Sequence, residues 1–176
     1  MPHRPRVLLA DYPLHIVQRG INREPCFFTD EDYYCYLHWQ EESARACGCA
    51  LHAYALMTNH VHLMIRAKEG YLLQDIVRDF KKFSCKAVIK AIKENYEESR
   101  KEWLLKQLET KEGYSLWRGD NKPIELWSNA VITQKLNYIH QNPVEEGLVF
   151  KAEDYMYSSA YDYTGENGMI DILVID

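Results

Sequence analysis

No stretch limits the fold of this chain more than Met57-Thr-Asn-His-Val-His-Leu-Met-Ile65. The residues after Asn59 are apolar and β-prone, which reads as a strand. Thr58-Asn59 is turn chemistry, so Leu51–Met57 and His60–Arg66 read as the two arms of a hairpin. On a strand, residues two apart share a face. His60 and His62 therefore project together while Val61 turns into the core behind them. Two neutral imidazoles in that arrangement suit a divalent cation. A pair of ligands is only half a site, and two ordinary surface histidines would look the same.

The rest of the chain supplies partners for that hairpin. Leu14-His-Ile-Val-Gln-Arg19 alternates as a first strand, and Gly20-Ile-Asn-Arg23 follows as a turn. Arg19 and Arg23 flank the turn, which suits either a phosphate-binding loop or a solvated hairpin tip. Thr29-Asp30 is an N-cap, with acids at Asp30, Glu31 and Asp32 where the helix dipole favours them. That helix runs to about Cys47 and stops at Gly48. Leu72 to about Lys93 is the strongest helical pattern, with Leu72, Leu73, Ile76, Val77, Phe80, Phe83, Ala87 and Val88 in one apolar stripe. Asn95–Glu109 reads as a second, highly charged helix pinned by Trp103 and Leu104. Gly113–Trp117 reads as a short strand, Arg118–Pro123 as a loop and Ile124–Trp127 as an extended segment. Ser128 or Asn129 caps a last helix that buries Val131, Ile132, Leu136 and Ile139 and ends at Pro143. The tail carries Tyr155, Tyr157, Tyr161 and Tyr163, then a strand-like Met169–Ile175 that could pair within the chain or with a second copy.

This order predicts an α+β fold: a ferredoxin-like antiparallel sheet with helices packed on one face, plus an added C-terminal helix and tail. The histidine strand is expected at its centre, and residues 1–176 are expected to form a single domain. No apolar run approaches the roughly 18 residues of a membrane span. The basic Met1-Pro-His-Arg-Pro-Arg6 lacks the apolar stretch of a secretory signal. The cysteines form no CxxC pair, so they read as reduced thiols of a cytoplasmic protein.

Acids outnumber bases, 26 to 21, which argues against a globally basic nucleic-acid binder. The exception is local. Arg78, Lys81, Lys82, Lys86 and Lys90 lie mostly off the apolar stripe of their helix, opposed by Asp79. A solvated face accounts for such a run, and so does a surface that flanks the histidines and tracks a phosphate backbone. On the last helix, Tyr138 and Asn142 are four apart and look the same way, about 40° out of register. A tyrosine and a carboxamide oxygen facing a histidine-bound cation would place a nucleophile beside a Lewis acid, although from this segment alone Tyr138 reads more simply as a packed core residue.

Two segments together, Met57–Ile65 and Leu136-Asn-Tyr-Ile-His-Gln-Asn-Pro-Val-Glu-Glu-Gly-Leu-Val149, strongly resemble the REP-associated tyrosine transposases. These are single-tyrosine HUH enzymes that cut and rejoin single-stranded DNA. The resemblance runs from Pro5-Arg-Val to Tyr157-Ser-Ser-Ala160. It implies that His60, His62 and Asn142 hold Mg²⁺ or Mn²⁺, that Tyr138 is the nucleophile, and that the product is a 5′-phosphotyrosine. Single-stranded or hairpin DNA, REP-like palindromes by resemblance, is the implied partner of a monomer or homodimer. Arg19, Arg23, Arg78, Lys81, Lys82 and Lys86 are the expected DNA contacts. A non-catalytic DNA- or RNA-binding domain of the same fold is the alternative. Glu145-Glu146 departs from the basic or small pair of many relatives.

Overall fold

The computed structural model describes residues 12–120 and 123–175. Pro5-Arg-Val, the basic Met1–Arg6 segment and Asn121-Lys122 of the predicted loop lie outside the described residues. Strand β1 (Leu14–Arg19) leads through a 3₁₀ turn, Ile21–Arg23, into helix α1 (Asp30–Ala46). The start of α1 is fixed by a capping box: Asp32 N–H donates to Thr29 Oγ1 at 3.3 Å and Thr29 N–H to Asp32 Oδ2 at 3.0 Å. Gly48 then turns the chain at φ +62°, where a Cβ would stand 2.2 Å from the Tyr71 ring, so glycine is required.

Strands β2 (Cys49–Leu56) and β3 (His60–Ala67) form the hairpin, followed by α2 (Leu73–Glu94) and α3 (Lys101–Leu108). A small ribbon, β4 (Glu109–Thr110) with β5 (Gly113–Tyr114), precedes the edge strand β6 (Ile124–Glu125) and helix α4 (Asn129–Glu145). The main sheet has the order β2-β3-β1-β6 with every pairing antiparallel, which is the ferredoxin-like α+β arrangement expected from the sequence. The histidine strand β3 is central.

Alternation sorts the side chains between two faces. Leu14 and Ile16 of β1 and Val61, Leu63 and Ile65 of β3 join Tyr36, Leu37, Ile76 and Phe80 in the core under α1 and α2. Each fully buried Leu, Ile or Phe contributes about 1.5–3 kcal/mol there, as an upper bound. A bulge between Leu51 and Ala53 re-phases β2, so Leu51, Tyr54 and Leu56 all reach this core. The opposite face is thinner: Ala53, Ala55 and Met64 meet Leu126 and Ile139, with Val131, Ile132 and Leu136 of the added helix α4 packed alongside.

Several boundaries differ from the sequence reading. The charged helix begins at Lys101, not Asn95. Asn95 Oδ1 accepts from Glu97 N–H, and Glu98 Oε1 from Arg100 N–H, so local side-chain bonds hold 95–100 in turns. Leu104 is buried in the core, whereas Trp103 stays half exposed. The strand expected over 113–117 is reduced to Gly113–Tyr114 plus one bridge between Trp117 and Gly20.

Helix α4 passes through Pro143 and ends two residues later. A proline so near the end removes a single helical hydrogen bond. The actual stop is Gly147, at φ +74°, where Gly147 N–H bonds Val144 O at 3.0 Å and Leu148 N–H bonds Pro143 O at 2.9 Å, a Schellman ending. The tail forms no ladder. It runs along the outer edge of β2, joined by Leu56 N–H to Tyr157 O (2.9 Å), Ser159 N–H to Tyr54 O (3.0 Å) and Leu173 N–H to Leu51 O (2.8 Å). Among the described residues, no helix is long and apolar enough to cross a membrane.

Candidate active site

His60 and His62 stand on the α4 face of β3, their ring centroids 4.9 Å apart. Alanines at 53 and 55 let α4 lie close over this face. Ser128 fixes the start of the helix by accepting from Val131 N–H at 3.2 Å. Further along, Ile139 packs on the sheet and His140 Nε2 meets Ser159 Oγ at 2.8 Å, so the tail anchors the back of the helix. The turn carrying Tyr138 and Asn142 consequently faces the histidines. The Tyr138 ring lies edge-on to His62 at 5.5 Å and is 43% exposed, open to a substrate. Asn142 is buried beside both imidazoles and favours the protonated form of each. Of the four residues expected to form the site, all four converge.

Burial keeps these imidazoles neutral. His62 is pushed down to about 3, chiefly by desolvation, then by His60, His15 and Arg19. His60 is lowered for the same first reason, against the opposing pull of Glu146 and Asn142. The neutral form is the one that binds metal. The tautomer of His60 follows from its neighbour: Nδ1 lies 2.6 Å from Asn59 Oδ1, a carbonyl that can only accept. Nδ1 therefore carries the proton and Nε2 keeps a lone pair. His62 Nε2 and Asn142 Oδ1 are both buried without a hydrogen-bond partner. Two orphaned buried acceptors side by side fit a hard or borderline cation, which would satisfy both. Among the described residues no group of three or more His, Cys, Asp or Glu is placed to hold a metal, and the further donor beside the two histidines is the Asn142 carboxamide oxygen.

The six cations expected to contact DNA fall into two groups. Arg19 is the register partner of His60 and shares its face, and Arg23 is exposed at the end of the 3₁₀ turn. Helix α2 packs on the opposite face of the sheet, so its cations do not flank the histidines. Arg78 is held within its helix by Asp75 (2.7 Å) and Asp79 (3.1 Å), and Lys81 donates to Arg118 O at 2.9 Å. Lys82 and Lys86 are exposed and form no ion pair or hydrogen bond among the described residues. Both line an open cavity of about 410 Å³ against Tyr114 and Trp117. Arg118 links β1 to α2 through its backbone, its N–H donating to Arg19 O and its carbonyl accepting from Lys81 Nζ.

Two neighbours escaped the sequence reading. Lys135 places its ammonium 5.4 Å from the Tyr138 ring centroid. His15 contacts His62 directly, with Nε2 3.2 Å from His62 Nδ1. The alternation of β1 was the available signal, since His15, Val17 and Arg19 share the face that meets His62 and His60.

Comparison with known proteins gives a consistent picture. The family model described as "Transposase IS200 like" matches residues 9–141, a span that takes in His60, His62 and Tyr138 and stops one residue before Asn142. A solved structure of a REP-associated tyrosine transposase bound to a REP hairpin superposes with a TM-score of 0.69 at 15% identity, covering 100% of both chains. A protein of Deinococcus radiodurans described as a transposase reaches a TM-score of 0.50 at 20% identity, over 79% of this chain and 95% of that one. At such identities the likeness is one of fold. No curated protein matches the chain.

Proposed function

This chain belongs to the IS200-like transposase family, and from that premise we propose that it nicks and rejoins single-stranded DNA through a tyrosine-linked intermediate. The observation that carries the reading is the meeting of Tyr138 and Asn142, from one turn of α4, with His60 and His62 on β3. His60, His62 and Asn142 would hold Mg²⁺ or Mn²⁺, which when bound supplies Lewis acidity toward a phosphate oxygen.

The residues of the chain then have distinct tasks. Tyr138 Oη attacks phosphorus, forming the O–P bond as the bond from phosphorus to the 3′ oxygen of the preceding nucleotide breaks. The phenolic proton leaves to solvent, which reaches the half-exposed side chain, and the departing oxygen takes one up as a free 3′-hydroxyl. That hydroxyl, or one from another strand, reverses the step, because the phosphotyrosine conserves the energy of the phosphodiester. Such a displacement needs Tyr138 Oη within about 3–3.5 Å of phosphorus, and the packing of helix α4 on the sheet sets where that oxygen stands. Arg19 contacts the phosphate backbone on the histidine side, Arg23 does so from the turn beyond β1, and Arg78, Lys81, Lys82 and Lys86 form a second patch behind the sheet. Hairpin DNA is the proposed substrate, since the fold is shared with a protein bound to a REP hairpin.

Incubation with a single-stranded hairpin oligonucleotide and Mn²⁺, followed by a denaturing gel and mass spectrometry, tests this. The expected result is a cut strand and a nucleotide adduct on Tyr138. Binding without cleavage would instead identify a DNA-binding domain of the same fold, and an adduct on Tyr114, Tyr155 or Tyr157 would mean that the nucleophile is misassigned.

A further inference from the structure

His15 is a buried titratable side chain that the chemistry above leaves without a task. It stands on the α4 face of β1, two residues from Val17, the register partner of His62. The His15 and His62 rings are nearly parallel, 10° apart, with centroids 5.4 Å apart, and their facing nitrogens are 3.2 Å apart. Ring nitrogens 3.2 Å apart are at hydrogen-bond distance, so one of the two donates a proton to the other. If His15 donated it, the proton of His62 would sit on Nε2, the atom needed for the cation. If His15 accepts, His62 is protonated on Nδ1 and Nε2 presents a lone pair. The accepting arrangement alone is compatible with metal binding at Nε2.

We propose that His15 is a positioning residue whose Nε2 accepts the Nδ1–H of His62, fixing that ring and leaving its Nε2 free for the cation. It does for His62 what Asn59 does for His60. The inference rests on His60, His62 and Asn142 being the ligands. Packing alone does not account for a histidine at position 15. Its Nδ1 has no hydrogen-bond partner, a burial cost that phenylalanine would avoid in nearly the same volume. Nor does His15 look like a fourth ligand, because its Nε2 is already turned to His62.

Calorimetric titration with Mn²⁺, without DNA, compares wild type, His15→Phe, His15→Gln and His60→Ala. His15→Phe keeps a ring but has no acceptor and should weaken binding about 10–100-fold. His15→Gln keeps an accepting oxygen and should stay within a few-fold of wild type. In wild type saturated with Mg²⁺, ¹⁵N NMR should find His62 protonated at Nδ1, a readout that needs no variant to fold. Wild-type affinity in His15→Phe, equal losses in Phe and Gln, or a proton on His62 Nε2 would each overturn the role of His15. If His60→Ala also binds Mn²⁺ normally, the ligand set itself is wrong and the inference goes with it. A loss in His60→Ala without one in His15→Phe removes the His15 role alone.

Discussion

The two faces of the sheet are built to different ends. Under α1 and α2, Leu14, Ile16, Val61, Leu63 and Ile65 interlock with helix side chains in a continuous apolar layer. Under α4, the same two strands present His15, Arg19, His60 and His62, and the apolar layer is a small one, Ala53, Ala55 and Met64 against Leu126 and Ile139. His15 Nδ1, His62 Nε2 and Asn142 Oδ1 are buried on that side without partners. Unsatisfied buried polar atoms cost stability. Unpartnered atoms such as Gln18 Nε2 occur on the core side too, but the α4 side gathers its own around the two histidines, an arrangement that suits binding. Because β1 and β3 supply both, the rigid layer positions the polar one from behind.

Substitutions should separate the two faces. The largest effect is expected for Tyr138→Phe, which removes one oxygen from a half-exposed ring: cleavage should fall by on the order of 10³-fold or more, with the melting temperature unchanged. Residual cleavage near wild type would take the chemistry away from α4. Leu63→Ala, directly behind the histidines, should do the reverse, costing about 2–5 kcal/mol in urea unfolding while the folded fraction keeps its affinity for Mn²⁺. A loss of metal affinity in that variant would mean that the faces are coupled more tightly than their packing implies.

Acid should find the polar face first. His15, His62 and His140 are lowered to about 4, 3 and 4, each mainly by burial, from 6.5. Below pH 6.5 the unfolded chain takes up protons that the folded protein refuses. Their contribution is complete above that pH and is lost as pH falls toward 4. At pH 5.5 the loss is roughly 1 kcal/mol per histidine relative to neutral pH. Equal urea midpoints at pH 7.5 and 5.5 would show that these imidazoles titrate freely in the fold. The smallest effect is expected behind the sheet. Lys82→Gln and Lys86→Gln should each flatten the salt dependence of DNA binding by roughly one unit. Arg78→Gln should do less, because Asp75 and Asp79 already occupy its guanidinium. A larger change from Arg78 would mean that DNA displaces those acids.

What the sequence made legible was local. Alternation set β1 and β3 and put His60 beside His62, and helical spacing aligned Tyr138 with Asn142. The errors arose where two local signals competed. Pro143 reads as the end of α4, but a proline in the last turn removes one bond, while the left-handed Gly147 ends the helix. The helical pattern over 95–109 hid the Asn95 and Glu98 turn bonds that delay α3 to Lys101. The side of the sheet taken by the α2 cations was beyond periodicity, because a stripe shows which residues are buried and not what they are buried against. His15 lay 47 positions from His62, and only the strand register brings them together.

The course of the tail has a practical consequence. Strand β2 is eight residues long and buried throughout, and its outer margin is occupied by Tyr157, Ser159 and Leu173. Cut the chain before Tyr157 and that margin becomes a row of bare amides and carbonyls on an apolar strand, a template on which a second copy can add. Residues remote from the chemistry thus act as a guard against self-association. Expression fragments that end early should aggregate, and a solubility tag or label is safer beyond Ile175 than inserted between Ser159 and Leu173.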